Sequence, residues 1–232
     1  MSLFNQNSKQ FDDNILYVIT NYFSWIFVSN VYFILLNIPF IFMLTFGSLV
    51  VTEGYIPIFI ASTITIGPSL TALYSTMGKL IRDKDISLTK SFFKFYKNSF
   101  KQSFLLWGLI VLLIELLYFD ISLINANNLP AFLSNIFLSF IIIILFISLT
   151  MFPIISRFYF NTKDLLKLSF FYSFKRIKHS ILNIIIVVAQ ILILSIYPQY
   201  TTFFVFSVGA YAIMYNSKDF LTEIEETLIP NK

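Results

Sequence analysis

The sequence predicts an all-α, polytopic membrane protein with six transmembrane helices, and three observations lead there. Hydrophobic residues make up 57% of the 232-residue chain and charged residues only 12%, about half the charged share of an average soluble domain. Mean hydropathy is +0.80. Phe contributes 29 residues spread along the chain, and charge-free apolar stretches recur at about the 20 residues needed to cross roughly 30 Å of hydrocarbon as helix. The basic residues collect in a few connections. A soluble enzyme is excluded by this balance, because there is too little polar surface to coat a globule.

Six spans follow in chain order: the first within residues 22–51, then about 55–77, 103–124, 131–156, 180–197 and 201–215. The last two divide because the run 180–216 is too long for one crossing and Pro198 sits where a turn would break it. Residues 1–14 are polar and the apolar run after them is longer than that of a cleavable signal peptide, so the first span is expected to stay in the mature protein. Positive charge orients the set. Lys79, Arg82, Lys84, Lys90, Lys94, Lys97 and Lys101 lie between spans two and three, and Arg157, Lys163, Lys167, Lys175, Arg176 and Lys178 lie between spans four and five. Lys9, Lys218 and Lys232 complete the 16, whereas the connections at 52–54, 125–130 and 198–200 carry no Lys or Arg. Six spans with both termini in the cytoplasm put every basic residue on one side of a bacterial cell membrane.

The two long cytoplasmic loops are expected to hold amphipathic helices. In residues 88–104, Lys90, Lys94, Lys97 and Lys101 form a stripe at helical spacing, and Leu88, Phe92, Phe95, Tyr96, Phe100 and Phe104 cover the rest. That pattern suits a helix lying in the headgroup layer with its lysines toward anionic lipid, and equally a docking helix for a cytoplasmic partner. Ser169-Phe170-Phe171 with Lys175 echoes Ser91-Phe92-Phe93 with Lys97, which suggests related hairpins of the same orientation.

Glu115 falls well inside span three, where an acid costs a few kcal/mol unless paired, protonated or hydrated. Either it couples a proton or cation, with Asn30, Asn37 or Gln190 as polar partners, or it is a neutral, hydrogen-bonded Glu holding helices together or one close enough to the outer surface to reach water. Asp120, nearer the outer end, reads as interfacial. Gly67-Pro68 near the middle of span two, among Ser62, Thr63, Thr65, Ser69 and Thr71, predicts a kinked or discontinuous helix. His179 beside Lys178 reads as interfacial. With no Cys, one His and 12 acids, there is little material for a metal centre or a thiol nucleophile, and no cofactor is expected. No phosphate-binding glycine loop or nucleophile elbow occurs, and the Phe-interleaved basic loops do not suit nucleic acid. The sequence leaves the oligomeric state open.

Several motifs together resemble a known family. Leu3-Phe4-Asn5, Leu36-Asn37-Ile38-Pro39, the run from Ile66 to Tyr74 (IGPSLTALY), and the run from Ser91 to Ser103 (SFFKFYKNSFKQS) resemble the YesL family of bacterial integral membrane proteins, found mainly in Firmicutes. The Gly-Pro-x-x-x-Ala-Leu-Tyr and Phe-Phe-x-x-x-Lys-Asn-x-x-Lys-Gln elements are its most specific marks, with Gly67, Pro68, Phe93, Lys97, Asn98 and Lys101 at motif positions. The resemblance covers roughly the first half of the chain and supplies no catalytic residues. It implies a non-enzymatic accessory or regulatory role linked to carbohydrate uptake by ABC-type importers, with such a transporter or a membrane sensor as partner. A small secondary transporter using Glu115 is the alternative.

Overall fold

The computed structural model describes residues 15–46, 55–83, 86–127 and 129–228, which form ten helices and no strand. They are α1 (Ile15–Leu36), α2 (Ile38–Phe46), α3 (Tyr55–Thr63), α4 (Ile66–Asp83), α5 (Leu88–Ala126), α6 (Ala131–Arg157), α7 (Thr162–Lys175), α8 (Ile177–Ile196), α9 (Pro198–Thr201) and α10 (Val205–Leu228). Five helical stretches, beginning at Ile19, Ile58, Leu88, Ala131 and Ile177, are long and apolar enough to cross a bilayer. The chain is a polytopic membrane protein.

The helices fall near the expected span bounds, with differences that have local causes. The first begins earlier than residue 22 and divides at Asn37, one residue before Ile38-Pro39 opens α2; its expected end at 47–51 lies outside the described residues, as do Leu3-Phe4-Asn5 and Lys9. The second is discontinuous, as Gly67-Pro68 predicts, but the break falls at Ile64-Thr65, leaving Pro68 in the first turn of α4. There a missing N–H costs no helical bond. The fourth and fifth spans match α6 and α8 to within about three residues, the usual scatter of helix ends. The sixth becomes α10, which runs well past residue 215 into a charged half and is not apolar enough over 18 residues to count with the five.

The largest correction concerns residues 88–104. They do not form a separate helix in the loop: α5 is one helix of 39 residues that carries the lysine stripe and the third span together. At 1.5 Å per residue it is about 58 Å long, nearly twice the hydrocarbon thickness. No proline interrupts it, so nothing in the backbone turns the basic half away from the axis of the apolar half. The second basic connection does break, at Arg176, and α7 is a helix of its own. The proposed echo between the two loops therefore covers one continuous helix and one helix-turn-helix.

Burial is concentrated at the basic end. Leu73, Met77 and Leu80 of α4, Phe92 of α5, Met151 and Ile154 of α6, Leu165 of α7 and Ile213, Phe220 and Ile224 of α10 form one core. Small residues let the backbones approach: the Ser75 hydroxyl of α4 lies 2.8 Å from the Ser156 carbonyl of α6, the close packing expected where lipid offers no hydrophobic drive. The other end is different. On α5 and α6, Leu112, Phe119 and Ile142 are 57%, 59% and 59% exposed, a density of bare apolar side chains that suits hydrocarbon and not water.

The acidic last turns of α10 close the basic end. Glu223 accepts from Lys175 Nζ at 2.6 Å and from Arg176 Nε at 3.0 Å, and Arg157 pairs with Glu225. The Lys175 ammonium and the Arg176 guanidinium, donating hydrogen bonds, hold the Glu223 carboxyl below its ordinary range. A carboxyl depressed in the folded state contributes stability above its unfolded pKa of about 4.3 and loses it as pH falls through the lowered folded value. Hydrogen exchange of residues 218–228, corrected for intrinsic rates, is expected to stay protected at neutral pH and to loosen only below about pH 4.3. Glu223→Gln should loosen the same residues at pH 7.

Candidate functional site

The two helix breaks meet. Asn37, 2% exposed, follows the last turn of α1 and opens α2, with its N–H on the Ile34 carbonyl and its carbonyl receiving Ile41 N–H, both at 3.0 Å. Its Nδ2 donates to the Phe33 carbonyl at 2.8 Å and across to Ser69 Oγ at 2.7 Å, while its Oδ1 accepts from Thr65 Oγ1 at 3.1 Å. One amide thus caps the α1 break and fastens it to the α3–α4 break. The carbonyls freed there are taken up as well: Ser69 N–H and Oγ donate to Thr65, at 3.2 and 2.8 Å, and Trp107 Nε1 of α5 donates to Thr63 at 2.8 Å.

Gly67 is in this junction for room. A Cβ there would stand 2.4 Å from Trp107 Cβ and 2.7 Å from the Ser103 carbonyl, so α4 and α5 touch backbone to backbone. Pro68 beside it is buried. Asn37, Gly67 and Pro68 are therefore brought to one hydrogen-bonded joint between helices, which at Asn37 borders a space of about 350 Å³.

Glu115 stands apart from them. It lies two turns beyond Trp107 on α5, half-buried in a groove of about 430 Å³ whose walls include Ile60, Thr63, Trp107, Leu112 and Phe119. Among the described residues it makes no hydrogen bond or ion pair, and its expected partners are engaged elsewhere. Asn30 donates to the Thr202 carbonyl at 2.7 Å and accepts from Ser207 N–H at 3.1 Å. Gln190 donates to the Val205 carbonyl at 2.7 Å. Gly67 does not line the groove. Among the described residues Glu115 is thus not hydrogen-bonded, and its groove reaches the α3–α4 break at Thr63 and Ile64 but not Gly67.

The basic half of α5 presents an open face. Lys90, Phe93, Lys94, Lys97, Asn98 and Lys101 are all exposed, and none of the four lysines pairs with a described carboxylate. The expected apolar face is divided: Phe92 is fully buried, Leu88, Phe95 and Tyr96 are half-buried, and Phe100 and Phe104 are exposed. What packs inward instead is small, namely Ser91, Ser99 and Ser103, spaced by multiples of four, with Gln102 Nε2 reaching the Phe160 carbonyl at 2.7 Å. Sequence reasoning missed Gln102 and Trp107, whose only signal is a polar atom near an apolar span. It also placed His179 at the interface, whereas the ring lies half-buried between α8 and α10. Its Nδ1 is 2.8 Å from the Asn216 carbonyl, which can only accept, so Nδ1 carries the proton. Asn216 Nδ2 in turn reaches Asn183 Oδ1 at 2.8 Å.

Asn37→Ala removes three side-chain bonds at a residue 2% exposed, and is expected to lower stability by about 1–3 kcal/mol in thermal unfolding of the detergent-solubilised protein. The exposed Asn98→Ala should stay within about 0.5 kcal/mol of the parent.

Residues 25–121 match a family model described as "Protein of unknown function, DUF624". That stretch contains the junction, Glu115 and the basic face of α5. The chain is also 29% identical over 153 residues to the "Uncharacterized protein YteU" of Bacillus subtilis (strain 168), covering 63% of this chain and 67% of that protein. No solved structure matches. Residues 25–121, rather less than half of the chain, are thus similar to the DUF624 family, whose function is unknown, and the Bacillus relative supports a likeness of YesL type.

Proposed function

We propose that the protein is a non-enzymatic accessory component of the bacterial cell membrane that docks a partner on the basic face of α5. The observation that carries this reading is the unpaired set Lys90, Lys94, Lys97 and Lys101, interleaved with exposed Phe93, Phe100 and Phe104, on a helix that continues unbroken from a span. Residues 88–103 extend for about 22 Å along the helix, more than one headgroup layer accommodates. A rigid, charged and aromatic projection of that kind suits protein docking better than simple anchoring in the headgroups.

The positive-inside rule makes the basic end cytoplasmic. The pairing of Glu223 and Glu225 with Lys175, Arg176 and Arg157 supports a C-terminus on that same side, with the first part of α10 as a sixth span. The resemblance to the YesL family supplies the partner class, an ABC-type carbohydrate importer or a membrane sensor. Replacing the four lysines together by Gln is expected to cut recovery of a near-stoichiometric partner from membranes at least tenfold, with the thermal midpoint unchanged. Unaltered recovery, or no such partner with the parent protein, overturns the reading.

A second reading, a small secondary transporter, is supported by the unpartnered Glu115 in its groove beside the α3–α4 break, since an acid at depth is a functional site by default. In reconstituted vesicles Glu115→Gln should then abolish proton-coupled uptake. Uptake that survives the change removes this reading.

A further inference from the structure

A cavity of about 320 Å³ lies among the helices of the bundle, separate from the basic α5 face and sharing only Trp107 with the Glu115 groove. Six helices wall it, through Phe33 of α1, Tyr74 of α4, Trp107 of α5, Ser148 of α6, Gln190 of α8 and Ala210 of α10. No charged side chain lines it, so a charged guest would enter without a counter-charge and lose its hydration uncompensated. The polar groups present are few and neutral. Ser148 Oγ donates to the Leu145 carbonyl at 2.7 Å, and Gln190 Nε2 is committed to Val205, which leaves Gln190 Oε1 as an acceptor.

Tyr74 is the group that calls for a ligand. It is 5% exposed, and its hydroxyl has no hydrogen-bond partner among the described residues. The hydroxyl is not enclosed by protein, and its residue lines the cavity, where a guest bearing one oxygen would give it the partner it lacks. The Gln190 amide also separates this cavity from a second space of about 420 Å³ between α8 and α10, whose walls include Ile193, Tyr200, Phe204, Val208 and Gly209. The amide rests against Gly209, where a Cβ would stand 1.9 Å from Gln190 Nε2. That outer space is lined almost entirely by apolar side chains, and Ile193, Tyr200 and Val208 in it are exposed at the lipid-facing surface.

We propose that the central cavity binds a neutral, chain-like apolar molecule carrying one hydroxyl or carbonyl oxygen. It enters from the bilayer past Gln190, and the Tyr74 hydroxyl donates to its oxygen. The proposal is independent of what docks on α5. A diazirine-bearing long-chain alcohol, photolysed with the full-length protein in phosphatidylethanolamine–phosphatidylglycerol vesicles, tests it. Labelling is expected on the peptides holding Tyr74, Ser148 and Gln190. Unlabelled dodecanol should compete at least tenfold better than dodecane, dodecanoate or dodecylammonium. Tyr74→Phe, which keeps the ring and its packing, should lower that labelling up to about tenfold, the worth of one such hydrogen bond, with the thermal midpoint held. Equal competition by all four compounds overturns the proposal, since it would mark a plain apolar surface. Labelling concentrated on outward residues such as Leu112 and Ile142 overturns it too, as does a Tyr74→Phe variant labelled like the parent.

Discussion

The backbone of a membrane protein has no water to fall back on, and the structure depends on how this chain meets that constraint. Two of its apolar segments are broken at mid-course, at Asn37 and at Ile64-Thr65. Each break frees amides and carbonyls that would otherwise cost several kcal/mol apiece in hydrocarbon. They are placed side by side so that one set of groups serves both: Asn37, Ser69 and Trp107 take up what the breaks release. The absence of a Cβ at Gly67 is what lets α5 come close enough for Trp107 to take part.

This arrangement changes the meaning of the broken helices. In transporters such breaks leave backbone groups turned toward a substrate or ion. Here they are turned toward one another and satisfied, and the polar residues nearby belong to the joint. Among the described residues, Glu115 and Tyr74 make no side-chain hydrogen bond and line two spaces that share Trp107 as a wall, while the enclosed hydroxyls without a partner are those of Ser29, Ser207 and Ser217. The open basic face of α5 and the side chains of Glu115 and Tyr74, and not the breaks, are where this fold leaves groups free to meet another molecule.

How much of this was legible in the sequence depended on whether the signal was local. Span positions follow from apolar length, and α6 and α8 lie close to where hydropathy sets them. The break in the second span was legible because Pro68 acts on its own helix, although its exact place was decided by Thr65 and Ser69 bonding to Asn37, residues distant in sequence. The continuity of α5 was misread because a bilayer-length segment was cut out of it; yet no helix-ending signal stands between Lys101 and Leu105, and its absence was the available clue. The division of the α5 face was not legible at all. Large Phe side chains look like the packed face, but α4 and α6 approach so closely that Ser91, Ser99 and Ser103 fit where Phe100 and Phe104 would not. Likewise Asn30 and Gln190 were plausible partners for Glu115 by residue type alone, and only the fold commits them to the start of α10.

The length of α5 has a mechanical consequence. Its backbone is pinned to α4 where Gly67 meets Ser103 and Trp107, which leaves an inner arm of about 26 Å and an outer arm of about 32 Å at 1.5 Å per residue. The inner arm is held again along its length, by buried Ser91, Phe92 and Ser99 and by Gln102 on the Phe160 carbonyl, whereas the outer arm beyond Ile110 buries only Ile124 among its described residues. A load on the lysines is therefore passed into the core at the basic end and not along the rod.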